Sequence, residues 1–350
     1  MVKRLAFAVP GDLATPTGGY AYDRRIIAEL EKLGWTVEKI NLGGGFPWPD
    51  RQTLAAAETR LMMASTSCPV LVDGLALGVL PEAARRMRAE HCLVALVHHP
   101  LALETGLTAA QSEILRASER AALAATKHVI VTSDATAREL AANFGVPADK
   151  ITVARPGNDP VAAPPGSTDG IVRILSVGAL VPRKGFDILL AALATLTDLP
   201  WRLTIAGDRS RDPKTAARLD ADIARLKLGE RVSLPGAVSE RQLAELYSGS
   251  DLFALASRFE GYGMAFSEAI AYGLPVVATR GGAVAQTVPP AAALLVDADD
   301  VPALARALRT VVTDAALRAH LAGAARKAAT LLPRWPDSAR TISAALEALA

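Results

Sequence analysis

Cysteine and long apolar runs are scarce in this sequence, and each shortage excludes a class of protein. Only Cys68 and Cys92 are present among 350 residues. This fits two buried free thiols in a reducing compartment better than a disulfide scaffold. No run approaches the roughly 18 apolar residues of a membrane-spanning helix, and the N-terminal apolar stretch stops at Pro10, too early for a signal peptide. We therefore expect a cytoplasmic protein, with peripheral contact to the inner face of a membrane left open.

An excess of charge of one sign is also missing. The formal net charge is +2, and residues 1–165 contain 17 basic and 17 acidic side chains against 21 and 19 in the remainder. A nucleic-acid partner is therefore not expected, because phosphate binding requires a basic face. Arg85, Arg86 and Arg88 form a local basic group that is typical of a solvated helix face.

The signatures of several chemistries are absent as well. The sequence contains no phosphate-loop lysine motif, no His-Glu-x-x-His, no Gly-x-Ser-x-Gly and no Cys-x-x-Cys. The "DADD" segment at 297–300 contains Asp-x-Asp, but it lies between an apolar strand and a helical pattern. An aspartate N-cap explains it better than a metal site, so we expect no metal.

The pattern that is present alternates apolar strands with helices. "RLAFAVPG" predicts a strand, and "YAYDRRIIAELEKLG" predicts a helix that ends at Gly34. "DATARELAANFG" predicts another helix, with Asp134 as its N-cap. Similar pairs continue to the proline-rich segment 155–170, a candidate linker, and the alternation then restarts. This predicts an α/β protein with two Rossmann-like domains facing one cleft, with ligands beyond the carboxyl ends of the strands.

Two glutamates stand out in "SRFEGYGMAFSEAIAYGLPVVAT", residues 257–279. We predict that Glu260 lies in a glycine-rich loop after a strand and Glu268 in the first turn of the following helix. The N-terminus of such a helix attracts anions, and carboxylates accept hydrogen bonds from hydroxyls. A phosphate with sugar hydroxyls on either side would satisfy both glutamates. The plainer alternative is a solvated loop residue and a partner of the helix dipole.

This segment resembles the E-x7-E motif of glycosyltransferase family 4, which has the GT-B fold. Four other stretches are similar to the same family in the same order, and they span nearly the whole chain. They are "GGYAYDRRIIAELEKLGWTV", "VGALVPRKGFDILLAAL", "IAGD" with "YSGSDLFALAS", and the terminal "RWPDSARTISAALEALA". The resemblance implies an N-terminal domain 1–160, a nucleotide-sugar domain 161–334, and a helix 335–350 that crosses back onto the first domain.

The resemblance also implies roles for individual residues. Glu268 would accept the ribose hydroxyls of a UDP- or GDP-sugar, and Glu260 would contact hydroxyls of the donor sugar. Lys184 would hold the diphosphate, whose charge grows as the glycosidic bond breaks. Backbone contacts are implied at the base, the sugar and the phosphates, from Gly236 to Val238 and from Gly263, Met264, Ala265 and Phe266.

One feature departs from the family. An arginine usually precedes the lysine by five or six residues, where this chain has Gly178 and Ala179. We expect Arg183 to supply the second cation. In the N-terminal domain the resemblance implies a loop at Gly18 and Gly19 near the phosphates or the acceptor. It also implies a contact between His98, with His99 as the alternative, and the outer hydroxyls of the donor sugar.

These expectations together indicate a retaining, metal-independent glycosyltransferase that needs no cofactor beyond its nucleotide-sugar donor. The acceptor stays open among saccharides, lipids and small metabolites. The alternatives are a GT-B-type sugar-nucleotide epimerase or hydrolase, and a non-catalytic nucleotide-sugar-binding protein. Turnover of a nucleotide-sugar by the purified protein separates them.

Overall fold

The computed structural model describes residues 3–161 and 169–349. Within these ranges the chain divides into two compact units, unit 1 (residues 1–157 and 333–350) and unit 2 (residues 158–332). The proline-rich segment expected as a linker begins in the last part of unit 1. Its residues 162–168 lie outside the described residues.

Each unit is built on a six-stranded parallel sheet. The strand order is β2-β1-β3-β4-β5-β6 in unit 1 and β12-β11-β10-β7-β8-β9 in unit 2. The strands of unit 1 are β1 Lys3–Val9, β2 Trp35–Asn41, β3 Pro69–Asp73, β4 Cys92–Val97, β5 His128–Val131 and β6 Ile151–Val153. Those of unit 2 are β7 Val172–Val177, β8 Trp201–Ala206, β9 Val232–Gly236, β10 Leu252–Leu255, β11 Val276–Thr279 and β12 Ala293–Val296.

Helices connect successive strands and cover the sheets. They are α1 Gly18–Lys32, α2 Arg51–Met62, α3 Gly74–Leu77, α4 Pro81–Met87, α5 Ala109–Ala124, α6 Asp134–Asn143, α7 Phe186–Ala194, α8 Pro213–Arg225, α9 Glu240–Ser248, α10 Met264–Ala271, α11 Val284–Thr287, α12 Val301–Thr313, α13 Ala315–Ala329 and α14 Trp335–Glu347. Fully buried strands such as β3, β10 and β11 are apolar apart from the terminal Asp73 and Thr279, because both faces of the sheet are covered. The predicted pair of Rossmann-like domains is confirmed.

The last helix, α14, belongs to unit 1. Trp335 packs edge-on against Tyr22 of α1, with 5.9 Å between ring centroids, and Ser343 accepts a hydrogen bond from the Trp35 indole at 2.9 Å. Gly157 allows the close approach of this helix, since a Cβ there would lie 2.1 Å from the Trp335 nitrogen. The chain thus returns from unit 2 to complete unit 1.

Three local expectations are wrong. Gly18 and Gly19 do not form a loop but begin α1, whose N-cap is Thr17. Ser133, not Asp134, caps α6, because its hydroxyl reaches the Thr136 amide. Glu268 lies in the second turn of α10 rather than the first, since that helix begins at Met264.

The sequence also predicts two buried thiols and a solvated basic helix face. Both cysteines are free; Cys68 is buried, but Cys92 is only partly so. Arg85, Arg86 and Arg88 are exposed, as predicted for a solvated face. Among the described residues, no helix combines the length and the apolar character needed to span a membrane.

Candidate functional site

The first group of candidate residues lies at the carboxyl ends of β7 and β10 in unit 2. A 3-10 turn, Pro182–Lys184, leads into α7 through Gly185, which adopts a left-handed conformation at φ 63°. A Cβ at Gly185 would lie 1.9 Å from the carbonyl oxygen of Ala256, which follows β10. Only glycine therefore lets the turn with Arg183 and Lys184 approach the loop with Glu260.

Glu260 is the centre of this group. Lys184 Nζ donates to Glu260 Oε1 at 2.7 Å, and Arg183 donates to Oε2 at 3.3 Å. The Ser257 hydroxyl donates to Oε1 at 2.6 Å. A carboxylate offers about four acceptor positions, and the donors in the described part of the chain leave one of them for a ligand. Glu260 is only 5% exposed and is thus not the solvated loop residue of the plainer alternative.

The neighbouring cations control the protonation state of Glu260. Burial is the largest effect and raises the pKa of Glu260, but the charges of Lys184 and Arg183 with the hydrogen bonds of Lys184 and Ser257 outweigh it and lower that pKa to about 2. Glu260 is therefore ionised at neutral pH. Two cations and one carboxylate leave a net charge of +1, which suits an anionic ligand.

The structure also explains how the chain accommodates the missing arginine. Gly178 follows β7, and a Cβ there would lie 2.9 Å from Cε of Lys184. The lysine stem thus lies against the backbone at Gly178, one of the two positions at which the resemblance led us to expect an arginine. Arg183 lies beside Lys184 and donates to the Phe259 carbonyl at 2.8 Å as well as to Glu260, so it points toward the group and not to solvent.

Glu268, on α10, forms a separate hydrogen bond with Tyr247. The Tyr247 hydroxyl lies 2.8 Å from Glu268 Oε2 and 3.2 Å from the Ala265 carbonyl oxygen. Burial is the largest cause that raises the pKa of Glu268 to about 7, although the Tyr247 hydrogen bond lowers it. The ring of Tyr247 stacks on Tyr272, with centroids 5.0 Å apart, which orients the hydroxyl.

The backbone between the two glutamates forms the start of α10. Gly263 is the N-cap, at φ 88°, and a Cβ there would lie 2.7 Å from the Phe266 ring. Met264 and Ala265 follow as the first helical residues, whose amides point out of the helix end, whereas the Phe266 amide donates to the Gly263 carbonyl oxygen at 2.9 Å. Val238 lies apart from them in sequence, between the end of β9 and the N-cap Ser239 of α9.

The second group lies in unit 1, at the carboxyl ends of β3 and β4. His98 follows β4, and a Cβ on Gly19 would lie 3.3 Å from its ring. His98 Nε2 lies 3.2 Å from Asp23 Oδ1 and 3.9 Å from Asp73 Oδ2. His99 instead pairs with Glu104 at 3.2 Å.

Sequence reasoning missed both aspartates. Asp23 is fully buried on the apolar face of α1, with Ile26, Ile27 and Leu30. Asp73 is 2% exposed at the end of β3 and accepts a hydrogen bond from the Leu75 amide. A carboxylate on an apolar helix face and an aspartate that ends a fully apolar strand are signals that could have found them.

The aspartates of "DADD" are occupied within unit 2. Asp297 pairs with Arg280 at 3.0 Å, Asp299 with Arg258 at 2.8 Å, and Asp300 caps α12. The N-cap expectation for this segment is confirmed.

In unit 1, ligand atoms of Asp23, Asp73 and His98 lie within 4.8 Å of one another, close enough for a metal. Since Nε2 of His98 faces Asp23 at hydrogen-bond distance, we interpret this group as hydrogen-bonded.

Comparison with known proteins identifies the class. A model described as "Glycosyl transferases group 1" matches residues 164–328, and one described as "Glycosyltransferase Family 4" matches residues 24–161. Sucrose-phosphate synthase from Thermosynechococcus elongatus superposes with a TM-score of 0.82 at 22% identity over 99% of both chains. Anabaena HepE in complex with UDP and glucose gives 0.79 at 20% identity, covering 99% of this chain and 100% of that one. The fold is thus GT-B, and the chain belongs to glycosyltransferase family 4.

A curated relative is the D-inositol 3-phosphate glycosyltransferase of Xylanimonas cellulosilytica. It is 30% identical over 238 residues, which are 63% of this chain and 57% of the relative. The chain therefore spans little more than half the length of this relative.

Proposed function

We propose that this protein is a retaining, metal-independent glycosyltransferase that uses a UDP- or GDP-sugar. The observation that carries the proposal is the buried group Arg183, Lys184 and Glu260, with its net charge of +1, beside the N-terminus of α10. Two cations held at one carboxylate support this proposal, because they would balance the charge of a diphosphate without a metal ion. The free thiols fit a cytoplasmic reaction.

Each candidate residue has a role in this proposal. Lys184 and Arg183 contact the diphosphate, and the backbone from Gly263 to Phe266 cradles the sugar and phosphate. Glu268 accepts from the ribose, while Glu260 and His98 contact hydroxyls of the transferred sugar. Backbone near Val238 contacts the base, and Gly18 and Gly19 at the start of α1 are assigned to the phosphates or the acceptor.

The proposed reaction balances without a further reactant. The bond between the anomeric carbon and the diphosphate oxygen breaks, and its electron pair stays on that oxygen. The acceptor hydroxyl oxygen forms the new bond on the same face, and its proton passes to the leaving phosphate oxygen. Fixed cations accelerate such a step because they stabilise charge that develops in the transition state.

A donor and acceptor panel tests the function. Purified protein in excess EDTA is screened against UDP-, GDP- and ADP-sugars by thermal shift, and the stabilising donor is then incubated with polyol, saccharide and lipid acceptors. Because the relative from Xylanimonas carries D-inositol 3-phosphate in its name, that compound heads the acceptor panel. We expect a product whose anomeric configuration, read by NMR, matches the donor.

Each alternative has its own outcome in that panel. Loss of turnover in EDTA that Mg²⁺ or Mn²⁺ restores contradicts metal independence, and an inverted product contradicts retention. Epimerised or hydrolysed donor without transfer indicates the related sugar-nucleotide enzymes. Binding without any conversion indicates a non-catalytic protein.

Glu268→Gln should weaken nucleotide binding without loss of fold. The variant replaces a charge-assisted hydrogen bond to the ribose, worth about 1.5–3 kcal/mol, so Kd for the matched nucleoside diphosphate should rise by roughly 10–100-fold. Because the pKa of Glu268 is raised to about 7, wild-type affinity should increase from pH 6 to pH 8 as the carboxyl ionises, whereas the variant should show no such increase. Isothermal titration calorimetry at three pH values measures both effects.

The exposed Glu245, which is 64% accessible in its side chain, supplies the control Glu245→Gln. Thermal unfolding of Glu268→Gln at pH 8 should match or exceed that of the wild type, since the variant no longer buries an ionised carboxylate. Equal nucleotide affinity in wild type and Glu268→Gln would remove Glu268 from the ribose.

A further inference from the structure

Three side chains in unit 1 form a buried acid–imidazole group from separate elements. Asp23 comes from α1, Asp73 from the end of β3 and His98 from the end of β4. The carboxyl groups are 0% and 3% exposed, whereas the His98 side chain is 21% exposed. Nε2 of His98 has both acidic partners, whereas Nδ1 has no hydrogen-bond partner among the described residues and is open to a ligand. The group therefore joins a buried acidic end to an accessible nitrogen.

One atom in this group lacks a donor. Asp23 Oδ1 faces His98 Nε2, but Asp23 Oδ2 is buried and has no hydrogen-bond partner within residues 3–161 and 169–349. A buried carboxylate oxygen left without a donor destabilises the fold. The adjacent Asp73 carboxyl supplies the missing donor if it carries a proton. Two carboxylates this close would repel each other. The expected state therefore has one proton on the pair.

The electrostatics agree with this reading. Burial is the largest effect that raises the pKa of Asp73, to about 7, and the Asp23 charge adds to it. Burial lowers the pKa of His98, but the charge and hydrogen bond of Asp23 with the charge of Asp73 outweigh it, so the pKa is raised overall. One proton on the acid pair and one extra on the imidazole leave the buried group neutral.

The other groups that pack on His98 do not compete for this proton. The Tyr22 ring meets His98 edge-on at 5.3 Å between centroids, and its hydroxyl donates to the Ala154 carbonyl at 2.8 Å. Burial raises the pKa of Tyr22 well above its usual value, so it stays neutral. Thr132 donates to the backbone oxygen of His98, and the next titratable residue, His99, pairs with Glu104.

We infer that Asp23 and Asp73 share one proton and together keep His98 an imidazolium, whose Nδ1–H donates to a hydroxyl oxygen of the transferred sugar. The two aspartates are positioning residues that act through His98, and the inference rests on the proposed function for its substrate. An imidazolium cannot take the proton of the acceptor. The inference therefore leaves the leaving phosphate as the base, in agreement with transfer on one face of the sugar.

NMR titration of the full-length protein tests the protonation state without any assay of activity. The chain has five histidines, and His98→Gln identifies the His98 ring signal. We expect His98 to remain charged above pH 6.5 in the wild type. Asp23→Asn should lower its pKa by about one unit or more, because an opposite charge in contact shifts a pKa by 1–3 units. Asp73→Asn, which mimics the protonated acid, should lower it less, and the exposed control Asp149→Asn should not change it.

The carboxyl signals and kinetics complete the test. A carboxyl carbon that titrates near pH 7 should disappear in Asp73→Asn, which also carries the test if Asp23→Asn does not fold. In Asp23→Asn, kcat at pH 8 should fall about 10–100-fold and recover toward pH 6, with nucleotide Kd unchanged. An unshifted His98 pKa, the absence of such a carboxyl signal, or a stoichiometric metal that Asp23→Asn loses would overturn the inference. Failure of sugar transfer alone would instead count against the proposed function.

Discussion

Lys184→Ala should lower kcat by about 10²–10³-fold at saturating donor, with a much smaller change in KM. Loss of one fixed donor at a developing negative charge typically has this effect. Lys184 is 14% exposed and is held by Glu260, so it is already positioned before the diphosphate gains charge. An interaction that strengthens in the transition state acts on turnover rather than on ground-state affinity.

Arg183→Ala should lower kcat in the same way, and the double variant should lose less than the product of the single losses. Both cations contact one carboxylate and would serve one anion, so their effects are coupled. Lys214→Ala and Arg241→Ala, at exposed positions of the same unit, are the matched controls. Steady-state and single-turnover kinetics under saturating donor separate the chemical step from product release.

Two outcomes would contradict this arrangement. If Arg183→Ala turns over like the wild type, Arg183 only orients Glu260 and the second cation comes from another residue. If both variants raise KM and leave kcat unchanged, the cations bind donor and transition state equally well. Thermal unfolding of each variant shows whether a lower rate comes from lost fold instead.

Glu260→Gln should destabilise unit 2 by about 3–5 kcal/mol at pH 7.5. Removal of one partner from a buried ion pair leaves the other charge uncompensated, and here two cations lose their carboxylate. The main-chain oxygen of Glu260 still accepts from the Ala283 amide at 2.8 Å, so the loop keeps its backbone contact. Urea unfolding of both proteins measures the difference.

The difference should depend on pH with a defined sign. The pKa of Glu260 is about 2 in the fold against an ordinary value of 4.5, so the unfolded chain binds the proton first as the pH falls. The stability due to ionised Glu260, on the order of 3 kcal/mol, is fully present above pH 4.5 and disappears as the pH falls through 2. Glu260→Gln should therefore approach the wild type near pH 2–3, whereas Glu245→Gln should match it throughout. A constant gap between pH 7.5 and pH 2.5 would show that Glu260 is not held ionised by Arg183 and Lys184.

The local pattern of apolar residues was enough to predict the architecture, because buried parallel strands appear in a sequence as short apolar runs. Strands such as β3, β10 and β11 are recognisable without tertiary information, and glycine or N-cap residues mark the helices between them. Errors arose where neighbouring residues can serve the same purpose. Ser133 and Asp134 are both good caps. Only the structure shows that Ser133 is the last extended residue before α6 and Asp134 the first helical one.

The residues of the candidate site also fall into two sets, those that the sequence identified and those that only the structure revealed. The sequence by itself determined the two Rossmann-like domains and the family, since these depend on order and spacing along one chain. It also pointed to Lys184, Glu260 and Glu268, because motif residues keep their spacing. Only the tertiary structure decided that Arg183 turns toward Glu260 rather than to solvent, and that Gly178 leaves room for the lysine stem. It alone brought Asp23 and Asp73 to His98. Asp73 and His98 meet because β3 and β4 pair side by side, and Asp23 reaches His98 from α1 across 75 positions, and no local pattern records either contact.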